Sequence, residues 1–332
     1  MTLPSPTPAP SSRRNLGADG PLVSPVALGC WPIAGVTTLG ANEADSLATI
    51  QAALDAGINY FDTAYCYGAN GESDSLLGQV LPAVRDDVVI AAKGGIHYND
   101  AGQQAQDARP ETLAAECEQS LSRLRTERVE LFYLHSPDPN VPVSESAGAI
   151  ARLIEQGKVL SAGASNCTLA QIEEFHAACP LAAVQLPYNM LQRDIEQQTL
   201  PWCRERGIAV CVYWPLMKGL LAGGIADAAK LDSADNRRQY PMYQGEEWVK
   251  NRKFVDRLQE IAAEAGRTVA QLVVHWTFSQ PGITAALCGA KRPWQIEETA
   301  GAMGWMLTAE QAAAIEDAIA ARGHAAAKRV FT

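Results

Sequence analysis

The chain has 332 residues, 47% of them hydrophobic and 19% charged, an ordinary balance for a globular protein and long enough for two average domains or one large barrel. Its formal net charge of −10 argues against general binding to nucleic acid or an anionic membrane surface, and no unbroken apolar run is long enough to cross a bilayer. A small anionic ligand held by a local basic cluster stays compatible with both facts.

Residues 1–12, MTLPSPTPAPSS, alternate proline with small residues and read as a disordered tail ahead of a single domain over 13–332. The paired arginines of SRRNLG resemble an export signal, but ADGPLVSPVALGCW puts Asp, Gly and two prolines where an apolar segment belongs, so export is not expected. Eight cysteines stand singly with no CxxC pair, which reads as buried thiols in a reducing compartment, the cytoplasm by default. No metal site is expected.

After a short N-terminal hairpin, apolar strand-like runs alternate with amphipathic helical ones. The strands are VALGC (26–30), INYFD (58–62), VVIAAK (88–93), VELFYLH (129–135), VLSAGAS (159–165), AAVQL (182–186), IAVCVYW (208–214) and ITAALCG (283–289). Helical patterns such as NEADSLATIQAALDAG, ETLAAECEQSLSRL, SESAGAIARLIEQG and TLAQIEEFHAAC lie between them, with Thr168 as a plausible cap of the last. Near-continuous hydrophobic strands separated by helices mean a parallel sheet covered by helices. Eight such units predict a (β/α)8 TIM barrel with extended loops at its C-terminal face. A doubly wound open sheet is disfavoured, because LGCWPIAG after the first strand is not G-x-G-x-x-G.

A barrel carries its chemistry at the C-terminal ends of its strands. There the sequence places Asp62, Lys93 and His135, then Ser165, Asn166, Gln185 and Tyr213, with Tyr67 in the loop after Asp62. Singly, each is an ordinary surface or capping residue. A lysine closing an apolar strand, however, must reach solvent or an anion, and Asp62 on the neighbouring strand is its expected partner. A tyrosine beside such a pair can serve as acid or base, and the ammonium is expected to draw its pKa below the usual value of about 10. A neutral imidazole can orient a carbonyl. The group suits protonation of a carbonyl oxygen and needs a cofactor to supply hydride.

FDTAYCYG, AAK, LFYLHSPD, GASN, VQLPYN, VYWPLMKGLL and CGAKRPWQIEET occur in the order found in the aldo-keto reductases, NADPH-dependent (β/α)8 enzymes, and the chain resembles that family from about Arg14 to about Ile319. The resemblance implies Tyr67 as general acid, Lys93 and Asp62 as the pair that tunes it, and His135 as the residue orienting the carbonyl. It implies Ser165, Asn166 and Gln185 around a nicotinamide carboxamide and Tyr213 stacked on its ring. Trp214, Pro215, Leu216, Gly219 and Leu221 would cross the pyrophosphate, with Gly219 letting backbone N–H groups approach phosphate oxygens. Gly289, Lys291, Arg292, Gln295 and Glu298 would hold the adenosine end and its 2′-phosphate at a helix N-terminus, making NADP(H) the expected cofactor and NAD(H) the alternative. Trp214 stands where relatives commonly have serine, Thr299 replaces a common asparagine near the adenine, and Asp74 replaces a frequent glutamate with little consequence expected.

Trp31 is the expected aromatic wall of the substrate pocket. Tyr98, Gln103, Gln104 and Gln106 in an enlarged loop after the third strand could border its entrance, as could YPMYQGEEW (240–248). Cys66 and Cys167 flank the site and read as packing. The implied activity is interconversion of an aldehyde, ketone or sugar carbonyl with its alcohol. Two other readings are an NADPH-binding regulatory subunit resembling the potassium-channel β subunits and a Schiff-base lyase using Lys93.

Overall fold

A computed structural model describes residues 13–35, 38–99 and 101–325. The proline-rich tail expected over 1–12 lies outside them. Strands β1 (Arg14–Asn15) and β2 (Leu22–Val23) form the N-terminal antiparallel hairpin. Eight parallel strands follow: β3 (Val26–Gly29), β4 (Tyr60–Asp62), β5 (Val89–Gly94), β8 (Leu131–Leu134), β9 (Ala162–Ser165), β10 (Leu181–Pro187), β11 (Ala209–Tyr213) and β12 (Ala285–Gly289). They pair in chain order and close through β12 against β3 into a barrel. All eight sequence-predicted strands are present, and the open-sheet alternative is ruled out by the closure.

Helices α1 (Glu43–Asp55), α2 (Glu72–Val80), α3 (Pro110–Leu124), α4 (Val143–Glu155), α5 (Leu169–Ala178), α6 (Thr199–Glu205), α8 (Val269–Ser279) and α9 (Pro293–Ala300) follow the strands around the outside. Thr168 caps α5, accepting from Gln171 N while the Gln171 side chain accepts from Thr168 N. Two further helices, α7 (Gly245–Glu264) and α10 (Ala309–Arg322), had no counterpart in the eight-unit reading. Arg322 joins them, donating to Asn251 Oδ1 at 2.8 Å and Glu247 Oε2 at 2.6 Å.

The barrel interior is solid. Leu16, from the hairpin, plugs the N-terminal end against a cluster that includes Val23, Ala27 and Tyr60. Higher up, the rings of Tyr60 and Tyr133 fill the centre, their hydroxyls 3.5 Å apart. Gly163 in β9 makes room for this: a Cβ there would lie 2.3 Å from Tyr133 Cδ1. The packed middle directs a ligand to the strands' C-terminal rim rather than into the barrel.

The enlarged loop after β5 is itself an antiparallel hairpin, β6 (Ile96–Tyr98) with β7 (Gln104–Gln106). Buried Glu116 of α3 anchors it, accepting from Gly95 N at 2.6 Å and lying 3.1 Å from His97 Nδ1. Burial first, then opposed by those bonds, pushes the Glu116 carboxyl up to about 7.

Candidate active site

Parallel pairing sets Asp62 beside Ala91, two residues short of Lys93, at the rim where β4 and β5 end. Apolar positions below them bury both: Asp62 is 2% exposed and Lys93 is 0% exposed. Lys93 Nζ donates to Asp62 Oδ1 at 2.5 Å, to Thr63 O at 2.9 Å and to Tyr67 Oη at 3.1 Å. An ammonium has three donors and no acceptor, so this set is complete. Gln185 Nε2, from β10, donates to the other carboxylate oxygen, Asp62 Oδ2, at 2.7 Å.

Burial alone would lower the Lys93 pKa, but Asp62 and Tyr67 outweigh it and the pKa lies above the ordinary lysine value. Asp62 is pulled upward by burial and downward by Lys93 and Gln185. The close contact keeps the pair ionised. A Schiff-base nucleophile needs the free amine, which this pairing opposes.

Tyr67 departs from expectation. Burial is the larger effect and raises its pKa above the ordinary phenol; Lys93 pulls it down, and Asp62 behind the ammonium partly cancels that pull. The phenol is therefore neutral. The ammonium still lowers it, but burial, helped by the carboxylate behind the ammonium, outweighs that pull.

The Tyr67 ring meets Trp31 edge-on at 5.0 Å between centroids and His135 at 5.8 Å. The Nδ1 edge of His135 rests against Cys66 Sγ at 3.6 Å. Burial raises the Cys66 thiol pKa to about 12, opposed in part by Lys93, so it acts as packing. Tyr98 joins a small apolar cluster with Ala64, Cys66 and Ile96 that also receives Tyr67, so the β6–β7 hairpin borders the site. Gln104 Nε2 donates to Tyr98 Oη at 3.3 Å, while Gln106 Nε2 donates to Ser136 Oγ at 3.0 Å.

Asn166 takes a left-handed backbone (φ 60°), donates through Nδ2 to His135 O at 2.8 Å and accepts from Tyr213 Oη at 2.8 Å. Ser165 Oγ is buried without a hydrogen-bond partner. A buried hydroxyl left unpaired costs about 1–3 kcal/mol, so its retention points to an absent polar group.

Beyond β11 the backbone takes positive φ at Trp214 (62°), Met217 (46°), Lys218 (57°) and Gly219 (90°). Such strain gathers where a ligand is held, and left-handed turns can form anion-binding concavities. Gly219 N and Leu221 N both donate to Leu216 O, at 2.8 and 3.1 Å, so these two donors already close the turn. The ammonium of Lys218 lies over the rings of Trp214 (5.0 Å) and Tyr240 (4.4 Å), and Tyr243 Oη donates to Lys218 O at 3.0 Å. Trp214 thus fills the serine position with packing.

The sequence reading missed Arg237. Its guanidinium chelates Asp235 at 2.6–3.0 Å, and a Cβ on Gly219 would lie 3.4 Å from Arg237 Nη1. Asp235 is held below the usual carboxylate range, first by Arg237 and further by Lys291. At α9, Gln295 Oε1 accepts from Lys291 N at 2.9 Å. Thr299 Oγ1 bonds within its own helix, to Gln295 O at 3.1 Å and Ile296 O at 3.2 Å. Asp74 is buried and accepts from Thr63 Oγ1 at 2.6 Å, one residue from Asp62.

The Aldo/keto reductase family model matches residues 25–320. Aldo-keto reductase YhdN of Bacillus subtilis (strain 168) is 34% identical over 290 residues, 86% of this chain and 87% of the relative. Probable aldo-keto reductase 1 of Glycine max is 32% identical over 306 residues, 92% and 88% of the two chains. Among solved structures, the glycerol dehydrogenase AKR11B4 from Gluconobacter oxydans superposes with a TM-score of 0.87 at 32% identity, covering 98% of this chain and all of that one.

Proposed function

We propose, from the premise that the chain belongs to the aldo/keto reductase family of oxidoreductases, that it interconverts an aldehyde, ketone or sugar carbonyl with its alcohol, using NADP(H), with NAD(H) as the alternative. The carrying observation is the contact set of one ammonium. Lys93 Nζ spends its three donors on Asp62, Thr63 O and Tyr67 Oη. Because Tyr67 Oη accepts from Lys93, its own hydrogen is left for another acceptor, and a substrate carbonyl oxygen is that acceptor. Burial keeps the phenol protonated and ready to donate, while Lys93 stabilises the phenolate left after transfer. His135, edge-on to Tyr67, orients the carbonyl. Asp62, fixed by Lys93 and Gln185, keeps the ammonium charged.

The bound nicotinamide cofactor supplies the hydride that these side chains lack. Ser165, Asn166 and Gln185 would hold its carboxamide, with the unpaired Ser165 hydroxyl as direct support. Tyr213 would stack on the ring; Trp214, Pro215, Leu216, Gly219 and Leu221 would line the pyrophosphate, with Arg237 beside them. Gly289, Lys291, Arg292, Gln295 and Glu298 would take the adenosine end. Trp31 and Tyr98 wall the substrate pocket.

No helix among the described residues is long and apolar enough to cross a membrane. All eight cysteines are free buried thiols, which supports a reducing, cytoplasmic setting.

Purified protein would be assayed for NADP- and NAD-linked oxidation of short polyols, aldoses and simple alcohols, and for the reverse reduction of aldehydes and ketones. Turnover in one panel is the expected result. A protein that binds NADPH yet turns over nothing across both panels would overturn the reading and favour the regulatory-subunit alternative.

A further inference from the structure

The two cations expected to receive a 2′-phosphate are already engaged. Arg292 Nη1 is ion-paired with Asp45 Oδ2 in the first turn of α1, and its Nη2 donates to Gly40 O at 2.9 Å. Lys291 Nζ donates to Leu39 O at 2.5 Å. Asp45 is itself fixed: Asn42 caps α1 by accepting from Asp45 N at 3.0 Å and donates its amide to Asp45 Oδ2. The Arg292 and Asp45 side chains are 32% and 37% exposed, so a ligand can reach both.

We propose that Asp45 sets the balance between phosphorylated and unphosphorylated dinucleotides in this protein. It neutralises Arg292, ties it to the turn at residues 38–42, and repels a dianion at the start of α9. This rests on the reading above that the adenosine end lies there. A ribose hydroxyl meets no such repulsion and can donate to a carboxylate, the way acidic residues recognise that hydroxyl in other dinucleotide folds. A 2′-phosphate must instead share Arg292 with a carboxylate, or displace it. For a phosphate of charge about −2 sharing Arg292 with Asp45 in a water-like dielectric, the repulsion weakens its binding about tenfold. The pair therefore makes the chain accept NAD(H) more readily than its two adjacent cations alone would suggest.

The test is equilibrium titration of NADPH and NADH by their own fluorescence against parent, Asp45→Asn and Arg292→Gln proteins. Asp45→Asn is expected to tighten NADPH about tenfold and to change NADH less than twofold, with the gain shrinking at high salt. A ratio of affinities within twofold of the parent, or weaker NADPH binding, would overturn the inference. Arg292→Gln separates the two readings. If it weakens NADPH selectively while Asp45→Asn does nothing, the phosphate site stands and the role of Asp45 falls. If it shifts neither cofactor, the adenosine placement itself fails, and the inference with it. Asp45→Ser, which keeps a hydrogen-bonding side chain on α1, runs in parallel in case the amide unsettles the helix, and the same affinity ratio decides.

Discussion

Replacing Asp62 by asparagine keeps the shape of the side chain and removes its charge, which leaves Lys93 buried with no counterion. At 2.5 Å and an effective dielectric of about 20, the pair attracts by roughly 5–7 kcal/mol. Part of that offsets desolvation, so the net loss on deleting one partner of a buried pair is about 3–5 kcal/mol. Expressed on Lys93, this is a fall of about 2–4 pKa units. In the parent the Lys93 pKa is raised, so the pair's stabilisation is fully present below the unfolded lysine pKa of about 10.5 and is lost only as pH climbs through the folded value. In Asp62→Asn the ammonium would instead discharge at a lower pH than in the parent. Tyr67 then loses the cation that stabilises its phenolate, and kcat falls by about 10²–10³. The assay is steady-state carbonyl reduction followed by NADPH absorbance across pH, beside denaturant unfolding. The variant should lose about 3 kcal/mol of stability and show a new fall in kcat on the basic side. A variant whose kcat stays within threefold of the parent at every pH would show that Asp62 does not tune Lys93.

Ser165→Ala removes a buried hydroxyl that has no partner, so the cofactor-free protein is expected to be as stable or more so, by up to about 1 kcal/mol, while nicotinamide cofactors bind roughly 5–10-fold more weakly; destabilisation without loss of affinity would show a purely structural hydroxyl. Gly163→Ala drives a methyl into the Tyr133 ring and should cost about 1–3 kcal/mol, read as a lower melting temperature, and an unchanged melting point would contradict the interior packing described above. Burial pushes the Asp74 carboxyl up to about 6, opposed by its bond from Thr63, so folding binds a proton there that the unfolded chain has released. Stability is thus lowered as pH rises from about 4 to 6 and stays lowered above, by on the order of 2–3 kcal/mol. Asp74→Asn is expected to stabilise the protein at pH 8 and to have much less effect at pH 4, and the reverse order in thermal melts would show that the ionised carboxylate is the favoured form.

What could be read along the chain was whatever one segment writes by itself. The strand ending in Asp62 and the strand ending in Lys93 each announce a parallel barrel strand, because the apolar run is continuous and stops on a charge. Thr168 and Gln171 spell a capping box within four residues. Helices α7 and α10 were not read because they add to the barrel without altering its strand count, and their junction at Arg322 joins residues more than seventy positions apart. Gln185 could be placed near a nicotinamide by resemblance, but its bond to Asp62, 123 residues away, has no local signature. The Arg292–Asp45 pair spans 247 residues. Local patterning cannot report such pairings. The sign of the Tyr67 shift failed for another reason: the expectation counted the nearest cation and omitted both burial and the carboxylate behind it.

The phenol of Tyr67, held by Lys93 beside His135, is proposed to move the proton while other residues hold the cofactor. Tyr67→Phe, assayed for turnover on any carbonyl or alcohol found active and titrated with NADPH by fluorescence, separates these two roles. A loss of at least about 10³ in kcat, with cofactor affinity within threefold of the parent, is expected. Turnover retained within tenfold, or cofactor binding lost along with activity, would contradict that assignment.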